Sequence, residues 1–162
     1  LPDELNWCLV HIGGGPLKDE LRAQAEALGI ADRIEWRGKR DQTEVIEALR
    51  SADLFVLPSK IAGDGDRDGL PNVLMEAASQ KLPILSTAVS AIPEFIEDGV
   101  HGRLMPPGEP VAFSEALSEM ISNVTKRTCY ADAAYDRLRQ EFGMRGGIDV
   151  LEVLLRGALG RG

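Results

Sequence analysis

Apolar positions along this chain change repeatedly between short continuous runs and helical spacing, and that alternation predicts the elements. Trp7 to Ile12 is a short apolar run ending in Gly13-Gly14-Gly15-Pro16, which reads as a buried strand delivering a glycine-rich turn. From Leu17 to Leu28 the apolar residues recur at helical spacing, and the segment closes at Gly29. Arg33 to Arg37 reads as a second strand ending at Gly38, Thr43 to Arg50 as a second helix, and Leu54 to Leu57 as a third strand stopped by Pro58-Ser59. After a long loop and a helix opening near Pro71 come a strand from Pro83 to Ser86, a short helix from Ile92 to Glu97 with a Gly99 stop, and a last strand from Arg103 to Met105. The remainder, Val111 to Asn123, Lys126 to Phe142 and Ile148 to Leu159, reads as helical, with Gly143, Gly146 and Gly147 forming a hinge before the final element.

Strands alternating with helices imply parallel strands joined by right-handed crossovers. The predicted fold is therefore α/β, a Rossmann-like parallel sheet with flanking helices. In such sheets ligands bind at the carboxyl ends of the strands. The turns at Gly13 to Gly15 and Gly38-Lys39-Arg40, with the loops Ser59 to Leu70 and Ser86 to Ile92, all follow strands and should gather along one edge.

Composition narrows the functional classes. With 162 residues the chain is long enough for one domain with a sizeable core, expected to span residues 1–162 with 124–162 as a helical extension. A formal net charge of −8 argues against a binder of nucleic-acid backbones, and no polybasic cluster suits a membrane surface. No apolar run is long enough to span a bilayer, and no basic-then-apolar leader opens the sequence. Cys8 and Cys129 have neither metal-ligand spacing nor a partner pattern, so a reducing, cytoplasmic compartment is expected. The chain opens at Leu1 and enters an apolar run almost at once, which suggests a piece of a longer protein.

The densest chemistry lies in Asp68-Gly69-Leu70-Pro71-Asn72-Val73-Leu74-Met75-Glu76. Pro71 suits a first helical position, where its missing N–H costs nothing. Val73, Leu74, Ala77 and Ala78 form the predicted buried stripe, which leaves Asn72 and Glu76 on one flank, a turn apart. Leu70 is a poor cap, so the first-turn amides lack a side-chain acceptor and are open to an anion. Free amides with flanking carboxylates suit a sugar phosphate.

The order and spacing of these pieces, from about Trp7 to Asn123, resemble the donor-binding C-terminal domain of the retaining, GT-B-fold glycosyltransferases of family 4. The pieces are the strand with Gly13-Gly14-Gly15-Pro16, the strand ending at Gly38, Ala52-Asp53-Leu54 to Pro58-Ser59, and Pro71 to Ala78. Pro83 to Thr87, Ile92-Pro93-Glu94 and Asp98-Gly99-Val100-His101-Gly102 complete the set. That family carries two glutamates with seven residues between them, and this chain has the spacing with Asp68 in the first place and Glu76 in the second. The resemblance implies that Asp68 meets hydroxyls of the donor sugar and that Glu76 accepts from the nucleotide ribose. It also implies that the Gly14 and Gly15 turn and the residues around Gly38, Lys39 among them, line the nucleotide. The Gly69 and Leu70 amides are assigned to the donor's sugar or phosphate, with Pro71 and Asn72 beside them in the donor-binding set, and Ser59 either hydrogen-bonds the ligand or caps its own turn.

The reaction so implied transfers a sugar from a nucleotide diphosphate to a polysaccharide or glycolipid acceptor with retention of configuration. No cofactor beyond the donor substrate and no metal are expected. The family's first strand of this domain, its following Arg and Lys, and its acceptor-binding N-terminal domain would lie upstream of Leu1. On this reading the chain alone is inactive, and peripheral membrane contact is expected only through that absent half. The shorter carboxylate of Asp68 leaves the donor sugar open and keeps a non-catalytic nucleotide-sugar binder or regulatory domain as the alternative.

Other residues carry less. His11 in its apolar strand reads as a core histidine or one behind the residues that touch ligand, His101 in a glycine-flanked turn as exposed, and Lys60 as a solvated loop lysine. Arg67 beside Asp66 and Asp68 reads as holding its loop through local pairs, and Asp64 with Asp66 lacks the spacing of a calcium loop. A dinucleotide-binding oxidoreductase is disfavoured because Lys18 stands where the fingerprint requires its last glycine.

Overall fold

A computed structural model of the chain describes residues 1, 5–60 and 69–142. It divides into two compact units, Leu1–Ala48 and Leu49–Gly162, with the division falling inside one helix.

In the first unit, β1 (Leu9–Ile12) leads through the glycine turn to α1 (Lys18–Ala27), and β2 (Ile34–Gly38) follows a 3-10 turn at Ala31–Arg33. Helix α1 ends in a left-handed Gly29, with Ile30 N–H donating to Ala25 O and Gly29 N–H to Glu26 O, a pairing that satisfies the terminal carbonyls. Strands β1 and β2 pair in parallel, Leu9 opposite Ile34 and His11 opposite Trp36, before a register shift sets Ile12 opposite Gly38. Helix α2 (Gln42–Ser51) opens on a capping box: Glu44 N–H donates to Asp41 Oδ1, and Asp41 N–H to the Glu44 carboxylate.

The expectation that the first strand is buried is corrected here. Leu9 and Val10 are 42% and 39% exposed, because β1 has a single strand neighbour among the described residues and neither of its faces is closed over. Cys8, in the same run, is exposed as well.

The second unit carries a three-stranded parallel sheet in the order β3-β4-β5: β3 (Phe55–Leu57), β4 (Ile84–Thr87) and β5 (Arg103–Met105). Around it lie α3 (Asn72–Ser79), the short α4 (Ile92–Phe95), α5 (Pro110–Ser122) and α6 (Val124–Glu141). All four residues of β4 are buried, as expected of a parallel strand covered on both faces. Leu74, Ile84, Leu85, Ile92, Phe95 and Ile96 are sealed from solvent. A second cluster joins Leu85 to Met105, Ala116, Met120 and Tyr130. Alanines at the buried positions of α3 (Ala77, Ala78) and α6 (Ala131, Ala134) suit the close packing of these two helices.

Helix α3 ends with Leu82 N–H on Ala77 O and Lys81 N–H on Ala78 O. Lys81 occupies the left-handed position (φ +54°) that glycine usually fills. Its ammonium reaches Asp132 of α6 at 2.7 Å, which raises the lysine pKa. Arg137 of α6 donates to Glu94 O at 3.0 Å and lies 3.3 Å from His101 Nδ1, which also accepts from the Glu97 amide. His101 is therefore half-buried, correcting the expectation of an exposed turn residue. The segments expected to be helical from Ile148 to Leu159, and hinged at Gly143, Gly146 and Gly147, lie outside the described residues. No described helix is long and apolar enough to cross a membrane.

Two outcomes are expected. A Cβ at Gly102 would stand 2.5 Å from the Ile84 carbonyl oxygen, so Gly102→Ala must push β5 away from β4. It should cost about 2–3 kcal/mol in a denaturant titration, the scale of an overpacked core. Burial and then Arg137 lower the pKa of His101 from 6.5. Between the folded and unfolded values the unfolded chain holds the extra proton, so this stability is fully present above pH 6.5 and is lost as pH falls. His101→Asn keeps an acceptor without a titration, and should flatten the decline in Tm between about pH 7 and pH 5. An unchanged slope would remove His101 as its source.

Candidate functional site

The predicted binding residues fall into two groups, one in each unit. In the first, the turns leaving β1 and β2 are tied together by Gly13 N–H donating to Gly38 O at 2.9 Å. Both glycines have positive φ, +142° and +69°, which side-chain-bearing residues adopt at a cost. The stem of Lys39 lies across Gly14, where an added Cβ would meet its Cγ and Cε at 3.6 Å; Gly15 is open. Beneath these turns His11 faces its cross-strand partner Trp36, ring centroids 4.9 Å apart, with the Arg22 guanidinium 5.6 Å from the Trp36 ring. His11 is half-buried, in ring contact with Trp36. Gly14, Gly15, Gly38 and Lys39 are brought together as the sequence predicted.

In the second unit the group lies around the exits of β3 and β4 and the start of α3. Pro71 is the N-cap, with φ −62° and ψ +123°, one position before the first-turn place predicted for it. Among the described residues no side chain caps this helix, and its first turn holds no acidic residue. Amides at this terminus carry partial positive charge and favour an anion. Asn72 is exposed at the first helical position, and Glu76 is half-buried one turn further on, the flank predicted for both. Leu74, Ala77 and Ala78 form the buried stripe; Val73 is only half-buried. Asp68, with Asp64, Asp66 and Arg67, lies outside the described residues.

Ser59 is half-buried where β3 leaves the sheet. Its carbonyl accepts from Thr87 Oγ1 at 2.5 Å, and Leu57 O accepts from Ser86 Oγ at 2.8 Å. Sequence reasoning placed Ser86 at a strand end without giving it a role; the available signal was two hydroxyls closing an otherwise apolar run. After β4 the chain turns through Ala88, whose N–H donates to Met105 O, and through Ser90, left-handed at φ +50° and exposed. Ser90 pays for that conformation without any glycine's freedom.

A family model described as glycosyl transferases group 1 matches residues 2–123. The chain belongs to the glycosyl transferases group 1 family. Among relatives of this group 1 chain, the amylovoran biosynthesis glycosyltransferase AmsK of Erwinia amylovora is 35% identical over 131 residues, covering 81% of the chain and 32% of AmsK. The chain thus spans about a third of the length of that curated relative. Its fold is similar to that of HepE from Anabaena, crystallised with UDP, at TM-score 0.77 and 23% identity over 91% of the chain and 40% of HepE. It is also similar to the C-terminal domain of the group 1 family protein LpcC from Francisella tularensis, at TM-score 0.74 and 24% identity over 88% of the chain and 73% of that domain. The structural neighbours are GT-B glycosyltransferases, and this group 1 chain has the α/β, Rossmann-like architecture predicted for it.

The strained turn of the group 1 chain yields a direct test. Ser90→Gly should raise stability by up to about 1 kcal/mol, and Ser90→Val should lower it by at least as much, since β-branching opposes the left-handed region. Equal stability of the two variants would show that position 90 is not held at positive φ.

Proposed function

We propose that this chain is the donor-binding domain of a retaining, hexosyltransferase-like enzyme that takes a nucleotide-diphosphate sugar. Membership of a group 1 family whose relatives build bacterial polysaccharides and lipopolysaccharides supports a polysaccharide or glycolipid acceptor. The observation that carries the reading is the start of α3, where a helix terminus that no described side chain caps stands one turn from half-buried Glu76. Breaking a glycosyl–phosphate bond builds negative charge on the leaving diphosphate and positive charge on the sugar ring. Main-chain amides of Gly69, Leu70 and the first turn answer the negative charge, and carboxylates fix the sugar and ribose hydroxyls.

In this reading Glu76 accepts from the ribose hydroxyls and Asp68 from the sugar. Gly14, Gly15 and Gly38 let the backbone approach the nucleotide closely, and Lys39, Ser59, Pro71 and Asn72 line the donor. The acceptor is held by a further domain, as the greater length of the relatives suggests, and no metal or cofactor beyond the donor is needed. Work on the cytoplasmic side of a membrane, in peripheral contact through that further domain, suits such an enzyme. The one methylene lost at Asp68 leaves a non-catalytic nucleotide-sugar binder as the second reading.

The test is calorimetric titration of UDP, GDP and ADP into the protein at its full natural length, beside Glu76→Ala. UDP comes first because HepE was crystallised with it. One nucleotide should bind, and the variant should bind it at least about tenfold more weakly, the worth of a charge-assisted hydrogen bond. Binding should persist in EDTA. A folded protein that binds none of the three would overturn the donor reading, whereas binding without turnover of any nucleotide sugar would favour the non-catalytic one.

A further inference from the structure

Ser86 and Thr87 are the buried polar side chains among the described residues, 0% and 4% exposed. They are consecutive, they end the central strand of the three-stranded sheet, and they sit in a setting where an unmade hydrogen bond is costly. Neither hydroxyl turns back on its own element, the usual local habit of Ser and Thr. Ser86 Oγ crosses to Leu57 O, the end of β3, at 2.8 Å, and Thr87 Oγ1 to Ser59 O, just past it, at 2.5 Å.

The place they reach is where the regular ladder fails. The β3–β4 pairing ends at Leu57 opposite Ser86, and the next residue, Pro58, has no N–H to continue it. Ser59 N–H folds back to Leu57 O at 2.9 Å, which turns the chain away from the sheet. Past Leu57 the Thr87 hydroxyl ties the backbone to β4 in place of strand pairing, and the Ser86 hydroxyl holds Leu57 at its edge. Val would fill the volume of Thr87 and Ala that of Ser86 at less cost to the core, so packing alone does not call for hydroxyls here.

We propose that Thr87, assisted by Ser86, is a positioning residue: its hydroxyl holds the Ser59 main chain, and so presents the Ser59 side chain to the donor nucleotide sugar. This rests on the donor-binding reading of the site. It adds a residue that touches no ligand and acts only through the exit of β3.

The experiment uses the protein at its full natural length and compares Thr87→Val, Thr87→Ser and Ser86→Ala with the unaltered protein. Calorimetry measures the nucleotide bound in the titration above, and hydrogen exchange follows the amides of Ser59 and Lys60. In Thr87→Val these amides should exchange faster while those of β4 and β5 stay protected. The nucleotide dissociation constant should rise about tenfold, and Thr87→Ser should restore both readouts. Ser86→Ala should show a smaller change in the same direction. If Thr87→Val is folded and neither readout moves, or if Thr87→Ser fails to restore what Thr87→Val loses, the proposal is wrong. If faster exchange appears without any change in affinity, the clamp is structural only and the positioning role is overturned. Should the unaltered protein bind no nucleotide, the donor reading fails and takes the functional role of Thr87 with it; the exchange data then tell whether the clamp itself exists.

Discussion

The second unit depends on β4 more than on any other element. Its four residues are buried, both of its edges are paired, and its Ile84 carbonyl is approached so closely by Gly102 that no other residue fits there. Leu85 points its burial into the cluster with Met105, Ala116, Met120 and Tyr130, so the same strand that carries the hydroxyl clamp also carries the core shared with α5 and α6. Strands buried on both faces are normally continuous apolar runs. Two hydroxyls at the end of this one are tolerated because each finds a carbonyl, and no buried side-chain polar atom among the described residues is left unpartnered.

Helix α6 is held by a different mixture of forces. Its buried face is small, built from Tyr130, Ala131 and Ala134, so apolar burial contributes modestly. Cationic side chains add hydrogen bonds and ion pairs around it. Arg127 donates to the carbonyls of Met120 and Ile121, satisfying the end of α5, and Arg137 reaches Glu94 O. Arg103 bridges Asp98 and Glu119, and Glu119 also takes Lys126, whose hydrogen bond lowers the pKa of that carboxyl most. Exposed pairs of this kind contribute little each. The partly buried arginine-to-carbonyl contacts matter more, because removing an arginine leaves a helix-end carbonyl without its donor.

Most of the element order was legible before the structure, since it rests on two periodicities that differ strongly. Glycine stops at Gly29 and Gly38, and the turn at Pro58-Ser59, fell where expected because each has a local physical cause. Boundaries moved by a residue or two, as at Pro71, where the proline serves as cap and Asn72 begins the helix. What failed was burial at Leu9 and Val10. An apolar run announces a preference for burial, but whether it is met depends on neighbours that the run itself does not specify. His101 failed for the converse reason: a turn looks exposed until a helix some thirty residues later, through Arg137, is laid against it. The grouping of Gly14, Gly15, Gly38 and Lys39 was legible because parallel pairing places consecutive strand exits on one side, whereas the clamp needed the register of β3 against β4.

Main-chain atoms dominate the candidate site, and this bears on how such a site changes specificity. Conformation sets the backbone in each unit by itself: positive φ at Gly13 and Gly38 in the first, and in the second a helix start at Pro71 that no described side chain caps and hydroxyls under the exit of β3. In the proposed reading none of these reads the identity of a sugar. Discrimination is left to the few side chains that reach past the main chain, and a site that hydrogen-bonds a hydroxyl rejects ligands lacking it far more strongly than a change of one methylene can. In the proposed reading, Asp68 in place of glutamate alters reach while keeping charge and acceptor number. Such a change retunes which hydroxyl is met and leaves the nucleotide's hold, through Glu76 and the main chain, as it was.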